Sequence, residues 1–243
     1  LRADNNGEGG ILALYALLRK MKRKWIYLLA IIGASTLLAD GIITPAITVT
    51  TAIEGLESIS PHLPVIPITL GIITIIFFVQ RFGTESIGKS FGVFMLIWFL
   101  LLGVTGAFSI TSYPLILKAF NPYYAAMLLA KSPEWFLILG AVFLCTTGAE
   151  ALYSDLGHCG RKNITISWLF VKAMLILNYL GQGAWVLNHI QTASSVNPFF
   201  SIMPQNMLIF AIIMATGAAI VASQALISGT FSILSEAMNL HFW

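Results

Sequence analysis

An all-α integral membrane fold is what this sequence predicts, and three observations carry it. Hydrophobic residues make up 58% of the 243 positions and charged residues only 9%, where a soluble domain has roughly 25% charged. The mean hydropathy is +0.87, which leaves too few charges to wet a globule of this size. The apolar residues also fall in long unbroken runs, without the alternation of a β-barrel strand. Helices are then the structure that satisfies every backbone polar group in lipid. With 13 Lys and Arg against 10 Asp and Glu the net charge is +3, and nothing in that balance points to nucleic acid. Two cysteines, Cys145 and Cys159, give neither a disulfide framework nor a zinc spacing. The chain opens on a polar run with no methionine and no targeting peptide, which predicts a piece of a longer chain.

A spanning helix takes roughly 20 mostly apolar residues. Six stretches qualify: 25–54, 65–80, 86–110, 135–153, 164–188 and 207–235. Together they predict a transmembrane domain over 25–243 behind a cytoplasmic linker over 1–24. The second stretch is short, and Pro61, Pro64 and Pro67 predict an irregular start. The segments between the spans set the orientation. One side carries Arg2, Arg19, Lys20, Lys22, Arg23, Lys24, Arg81, Lys89, Arg161 and Lys162; the other carries only Lys118 and Lys131. Basic residues collect on the cytoplasmic side, so 55–64, 111–134 and 189–206 are expected outside. Tyr113, Tyr123, Tyr124 and Trp135 stand near span ends on that outer side, as an interfacial belt does.

An ionisable group within a span costs at least ~2.5–3.5 kcal/mol and is a functional hypothesis by default. Asp40, Glu150 and Lys172 are such groups. Thr44 follows Asp40 by one helical turn, so the two oxygens share a face. Pro45 cannot donate to the Gly41 carbonyl, which frees a backbone acceptor beside them. Carboxylate, hydroxyl and carbonyl are hard oxygen ligands suited to an alkali cation or a proton. The competing reading is a structural carboxylate bonded to a neighbouring helix. Glu150 lies in Cys145-Thr146-Thr147-Gly148-Ala149-Glu150-Ala151-Leu152-Tyr153. Two β-branched hydroxyl residues before a glycine make a weak point, and broken transporter helices expose carbonyls to a bound ion. Here the competing reading is a polar knot that only packs helices. Lys172 is read first as a long stem that snorkels to the inner end, with a fixed internal cation as the competing reading. The small-and-amide run Asn178–Gly183 lets helices pack closely. At the inner mouth, Asp155 and His158 fit either a proton relay or a solvated pair.

Sliding the chain by 184 positions lays Ala39–Thr48 on Ser223–Ser232. Asp40 then pairs with Gln224, Thr44 with Ser228 and Pro45 with Gly229. The match is short, but it joins the first and sixth spans, the offset of two inverted five-helix repeats. A second echo, Asn121-Pro122-Tyr123-Tyr124 against Asn197-Pro198-Phe199-Phe200, is read as loop punctuation.

These motifs, taken in order, resemble the KUP/HAK/KT potassium uptake permeases over essentially the whole length. The likeness rests on Arg2–Leu12, Gly41–Ile47, Ala52–Glu57, Gly83-Thr84, Asn121-Pro122, Thr147–Tyr153, Gly157-His158, Asn178–Ala184 and Ala222–Gly229. The resemblance implies an amino acid–polyamine–cation (LeuT-like) inverted-repeat fold, of which this chain would hold the third to eighth of about twelve spans. It further implies potassium import with a proton, through a site to which Asp40, Thr147 and Glu150 contribute. That site is partial here, because the family's broken first helix precedes this segment. The set of ion-binding or proton-coupling candidates is Asp40, Thr44, Thr146, Thr147, Glu150, Tyr153, Gln224 and Ser228. The implied partners are potassium, protons, the lipid of a bacterial inner membrane and the remainder of the chain, with a homodimer left open. No cofactor is implied. Three places depart from the family pattern: Leu38-Ala39 where an aromatic and glycine are usual, Lys172 at an apolar position, and Ser235-Glu236 where a basic residue is common.

Other classes fit less well. A channel calls for a filter of carbonyls or rings of charge, and a membrane enzyme for a clustered catalytic set. Neither pattern is visible, and His62, His158, His189 and His241 are scattered near span ends. An amino-acid or other cation permease shares the fold, and only the residue-level resemblance selects potassium.

Overall fold

The computed structural model describes residues 10–18, 21, 23–58, 63–80, 85–145, 148, 160–193 and 196–239, and all regular structure among them is helical. In chain order the helices are α1 (Ile11–Leu18), α2 (Lys24–Glu54), α3 (Val65–Gln80), α4 (Glu85–Ser112), α5 (Pro122–Lys131), α6 (Trp135–Cys145), α7 (Arg161–Asn188), α8 (Pro198–Ser201) and α9 (Leu208–Asn239). Four stretches are long and apolar enough to cross a bilayer: Lys24–Glu54, Phe91–Ser112, Arg161–Asn188 and Gln205–Ser235. Val65–Phe78 and Trp135–Cys145 are apolar but shorter. At about 1.5 Å per residue, the 11 residues of α6 fall well short of a hydrocarbon core of about 30 Å.

Six threonines inside these helices meet their own needs. Thr48, Thr50, Thr74, Thr105, Thr165 and Thr230 each donate to the carbonyl four residues back. That local bond removes most of the penalty for a hydroxyl in an apolar setting, so threonine-rich runs remain helical.

Two pairings organise the molecule. α4 and α7 run parallel: a Cβ on Gly103 would meet Met174, one on Gly106 would meet Leu177 and Asn178, and one on Gly181 would stand 2.5 Å from the Gly106 Cα. α2 and α9 run antiparallel, with Gly41 against Thr230 at one end and, past the other, Gly55 just beyond α2 over the Phe200 ring of α8. Between those ends Val49, Ala52 and Ile53 form a core with Ile76 of α3 and with Ile212, Ala215 and Ala219 of α9. Phe94 and Trp98 tie α4 to α9 beside Ala211 and Met214. Small residues let the backbones approach closely, the usual basis of helix packing in lipid.

Within the stretch expected as a linker, α1 folds back on α2. Leu12 and Ala13 are buried, and Ile11 sits where a Cβ on Gly33 would be. The Asn-Pro echo also acquires a structural reason. Asn121 and Asn197 each cap a helix, accepting from the backbone N–H two residues on, with proline in the first turn. Both motifs are helix starts, where loop punctuation was expected.

Candidate functional site

The sequence motif on α2 keeps its spacing in space. The Thr44 hydroxyl donates to Asp40 Oδ1, and Thr48 Oγ1 donates to the Thr44 carbonyl at 2.7 Å. Asp40, Thr44 and Thr48 thus form a polar stripe along one face, each half-buried. Pro45 lies inside the helix and is itself buried, so the Gly41 carbonyl loses its helical donor. Gly41 is where α9 crosses: a Cβ there would stand 2.0 Å from Thr230 Oγ1. The freed carbonyl therefore lies at the α2–α9 contact, with the stripe on the adjoining face of α2.

On α9, Ser223 is fully buried and Gln224 is 6% exposed. The Ser223 hydroxyl and the Gln224 amide nitrogen have no hydrogen-bond partner among the described residues. A buried amide without a partner costs about 1–3 kcal/mol, more where no water can reach it. Ser228, one turn on, is half-buried. The buried Ser223 is a residue that sequence reasoning passed over. Only its place beside Gln224 in a small-residue run could have marked it.

The third group of candidates is only partly in view. Thr146, Thr147, Glu150 and Tyr153 lie outside the described residues, as do Asp155, His158 and Cys159. Their flanks are described. α6 ends at Cys145, and Gly148 has φ of 108°, a value no α-helix contains and glycine adopts most readily. The helix therefore does not run unbroken through Gly148. Tyr179 Oη of α7 donates to the Cys145 carbonyl at 2.9 Å, meeting one of the acceptors that a helix end leaves open. Nothing in the sequence marks Tyr179 for that task, because it belongs to a different helix.

The remaining polar signals are accounted for by packing. Asn178 is buried, with Nδ2 toward the Leu102 carbonyl at 3.4 Å, and accepts from Gln182 Nε2 at 2.6 Å. Ser109 Oγ donates to the Gly181 carbonyl at 2.7 Å. These bonds bind α4 to α7. Lys172 is exposed, with Nζ 5.3 Å from the centre of the Trp168 ring one turn back toward the start of α7, a cation–π contact. Among the described residues no group of three or more His, Cys, Asp or Glu could hold a metal.

The whole chain, residues 1–243, matches the family model of the K+ potassium transporter integral membrane domain. It is 53% identical over 249 residues to a probable potassium transport system protein Kup of Flavobacterium psychrophilum, a match covering 100% of this chain and 38% of that protein. Against the corresponding protein of Latilactobacillus sakei subsp. sakei it is 55% identical over 256 residues, covering 99% of this chain and 37% of the relative. The chain thus spans less than two fifths of the length of these relatives. No solved structure matches it.

Proposed function

The chain belongs to the K+ potassium transporter family, and from that premise we propose that the full-length protein imports potassium together with protons by alternating access. The family is one of transporters, not enzymes, and the chain is a multi-pass protein of the plasma membrane. The observation that carries the proposal is the unmet polar capacity at the α2–α9 crossing. A carboxylate, a hydroxyl and a carbonyl released by Pro45 stand together on α2, and α9 brings the buried Ser223 hydroxyl, which is without a partner among the described residues. Oxygen donors of this kind replace the hydration shell of a potassium ion.

Asp40 and Glu150 are assigned the coupling. Burial favours the protonated form of a carboxyl and a bound cation favours the ionised form, so a mid-membrane acid exchanges one for the other. Thr44, Thr146, Thr147, Tyr153, Gln224 and Ser228 are assigned to ligation, since neither a hydroxyl nor an amide carries a proton at neutral pH. In an inverted-repeat fold of the LeuT-like kind, α2 and α9 are equivalent helices entering from opposite sides; their antiparallel packing is compatible with such an axis. The six spans then run with residues 2–24 inside and 111–134 outside. The helix that would complete the ion site belongs to the longer chain.

The test is potassium uptake by the full-length protein, in cells without other uptake systems, at several external pH values. Saturable uptake that quickens as pH falls is expected. Uptake of an amino acid in place of potassium would select the other permease reading, and potassium uptake indifferent to pH would remove the proton. Cysteines placed at Ser132 and Lys162 should label from opposite sides; labelling from one side would overturn the topology.

A further inference from the structure

Between α1 and the first turns of α2 lies an apolar groove of about 140 Å³, lined by Ile11, Leu14, Leu18, Trp25, Ile26 and Leu29 among others. It lies between two points where α1 meets α2: Ile11 fills the space above Gly33, and the Tyr15 ring meets the Tyr27 ring edge-on at 6.2 Å. A groove with so apolar a lining accepts an apolar guest. Its rim is open at Leu18 and Trp25, and Leu17, Met21, Tyr27 and Leu28 close by in the chain are exposed too. Trp and Tyr in such a rim are the residues of a membrane interface.

The same place is strongly positive. Five of the six residues from Arg19 to Lys24 are basic, and Arg23 and Lys24 are exposed where α2 begins. No acidic residue occurs in α1 or in α2 before Asp40. An apolar protein segment laid in the groove would leave this charge unmatched. An anionic phospholipid matches both features at once, its chain in the cleft and its phosphate on Arg23 and Lys24.

We propose that the groove between α1 and α2 binds an acyl chain of an anionic phospholipid, whose phosphate is held by Arg23 and Lys24. The proposal is independent of potassium transport and of which way the chain crosses the membrane. Each basic residue near the surface adds a factor of roughly five to the attraction of anionic lipid.

The test uses the full-length protein in nanodiscs of unlabelled phosphatidylcholine. Either phosphatidylglycerol or phosphatidylcholine with brominated chains is then titrated in. The Trp25 signal is the difference in fluorescence between the protein and its Trp25→Phe variant, an exposed and conservative change. Half-quenching of Trp25 is expected at a mole fraction of brominated phosphatidylglycerol roughly 25-fold below that needed for the phosphatidylcholine. Arg23→Gln and Lys24→Gln, both at exposed positions, should each erase roughly a fivefold share of that preference. Equal quenching by the two lipids would overturn the proposal. So would a preference that survives the double substitution, or a Trp25 that neither lipid quenches, which would mean that protein covers the groove.

Discussion

The α4–α7 and α2–α9 pairs are built from similar material and end in different states. Both use glycine to bring backbones together, Gly181 on Gly106 in one and Gly41 on Thr230 in the other. Both also carry buried amides and hydroxyls. In α4–α7 those groups find partners: Asn178, Gln182, Thr105 and Ser109 are each hydrogen-bonded, Asn178 and Ser109 across the seam. In α2–α9 the hydroxyl of Ser223 and the amide nitrogen of Gln224 have none among the described residues, and Pro45 releases a carbonyl nearby. Water is not at hand in lipid to meet such groups. Satisfied polar groups make a joint, and unmet oxygens beside a carboxylate make a place for a cation.

That contrast is most exposed to the acids. Asp40→Asn and Glu150→Gln in the full-length transporter should lower uptake and flatten its pH dependence, by the 5- to 150-fold that a coupling of about 1–3 kcal/mol represents. If both variants keep the wild-type rate and pH profile, the α2–α9 seam is a joint like the other. The glycines come next. Gly181→Ala presses a methyl on backbone and should cost about 1–3 kcal/mol of stability, read as earlier thermal denaturation in detergent, with the KM for potassium unchanged in the surviving protein. Gly41→Ala should move both stability and KM, because it shifts α9 beside Asp40; an unmoved KM would separate Gly41 from the site.

The amides give the smallest and sharpest difference. Asn178→Leu removes a bond of the joint and should cost about 0.6 kcal/mol, the average for such bonds between membrane helices, with potassium affinity intact. Gln224→Leu removes an amide whose nitrogen is unmet, so stability should hold or rise by up to about 1–3 kcal/mol while KM for potassium increases and the pH dependence persists. Parallel behaviour of the two variants, lost stability with constant KM, would make Gln224 another piece of packing.

What the sequence by itself determined is what depends on neighbours along the chain. Hydropathy over some 20 residues places a helix in a membrane, so the apolar stretches that become α2, α4, α7 and α9 were legible from composition. The Asp40–Thr44 bond and the carbonyl freed by Pro45 follow from one helical turn and a missing N–H, both local. The end of α6 near Gly148 was legible in the same way, from β-branched residues before a glycine. Tertiary structure alone decided that α2 pairs with α9 and α4 with α7, that Tyr179 caps Cys145, that α1 folds back on α2, and that the Gln224 amide nitrogen is left without a partner. Partner choice in lipid rests on how small residues and bumps on two surfaces interlock, since every candidate surface is about equally apolar. Hydropathy does not record that fit, and whether a buried amide meets an acceptor is known only once the facing helix is in place.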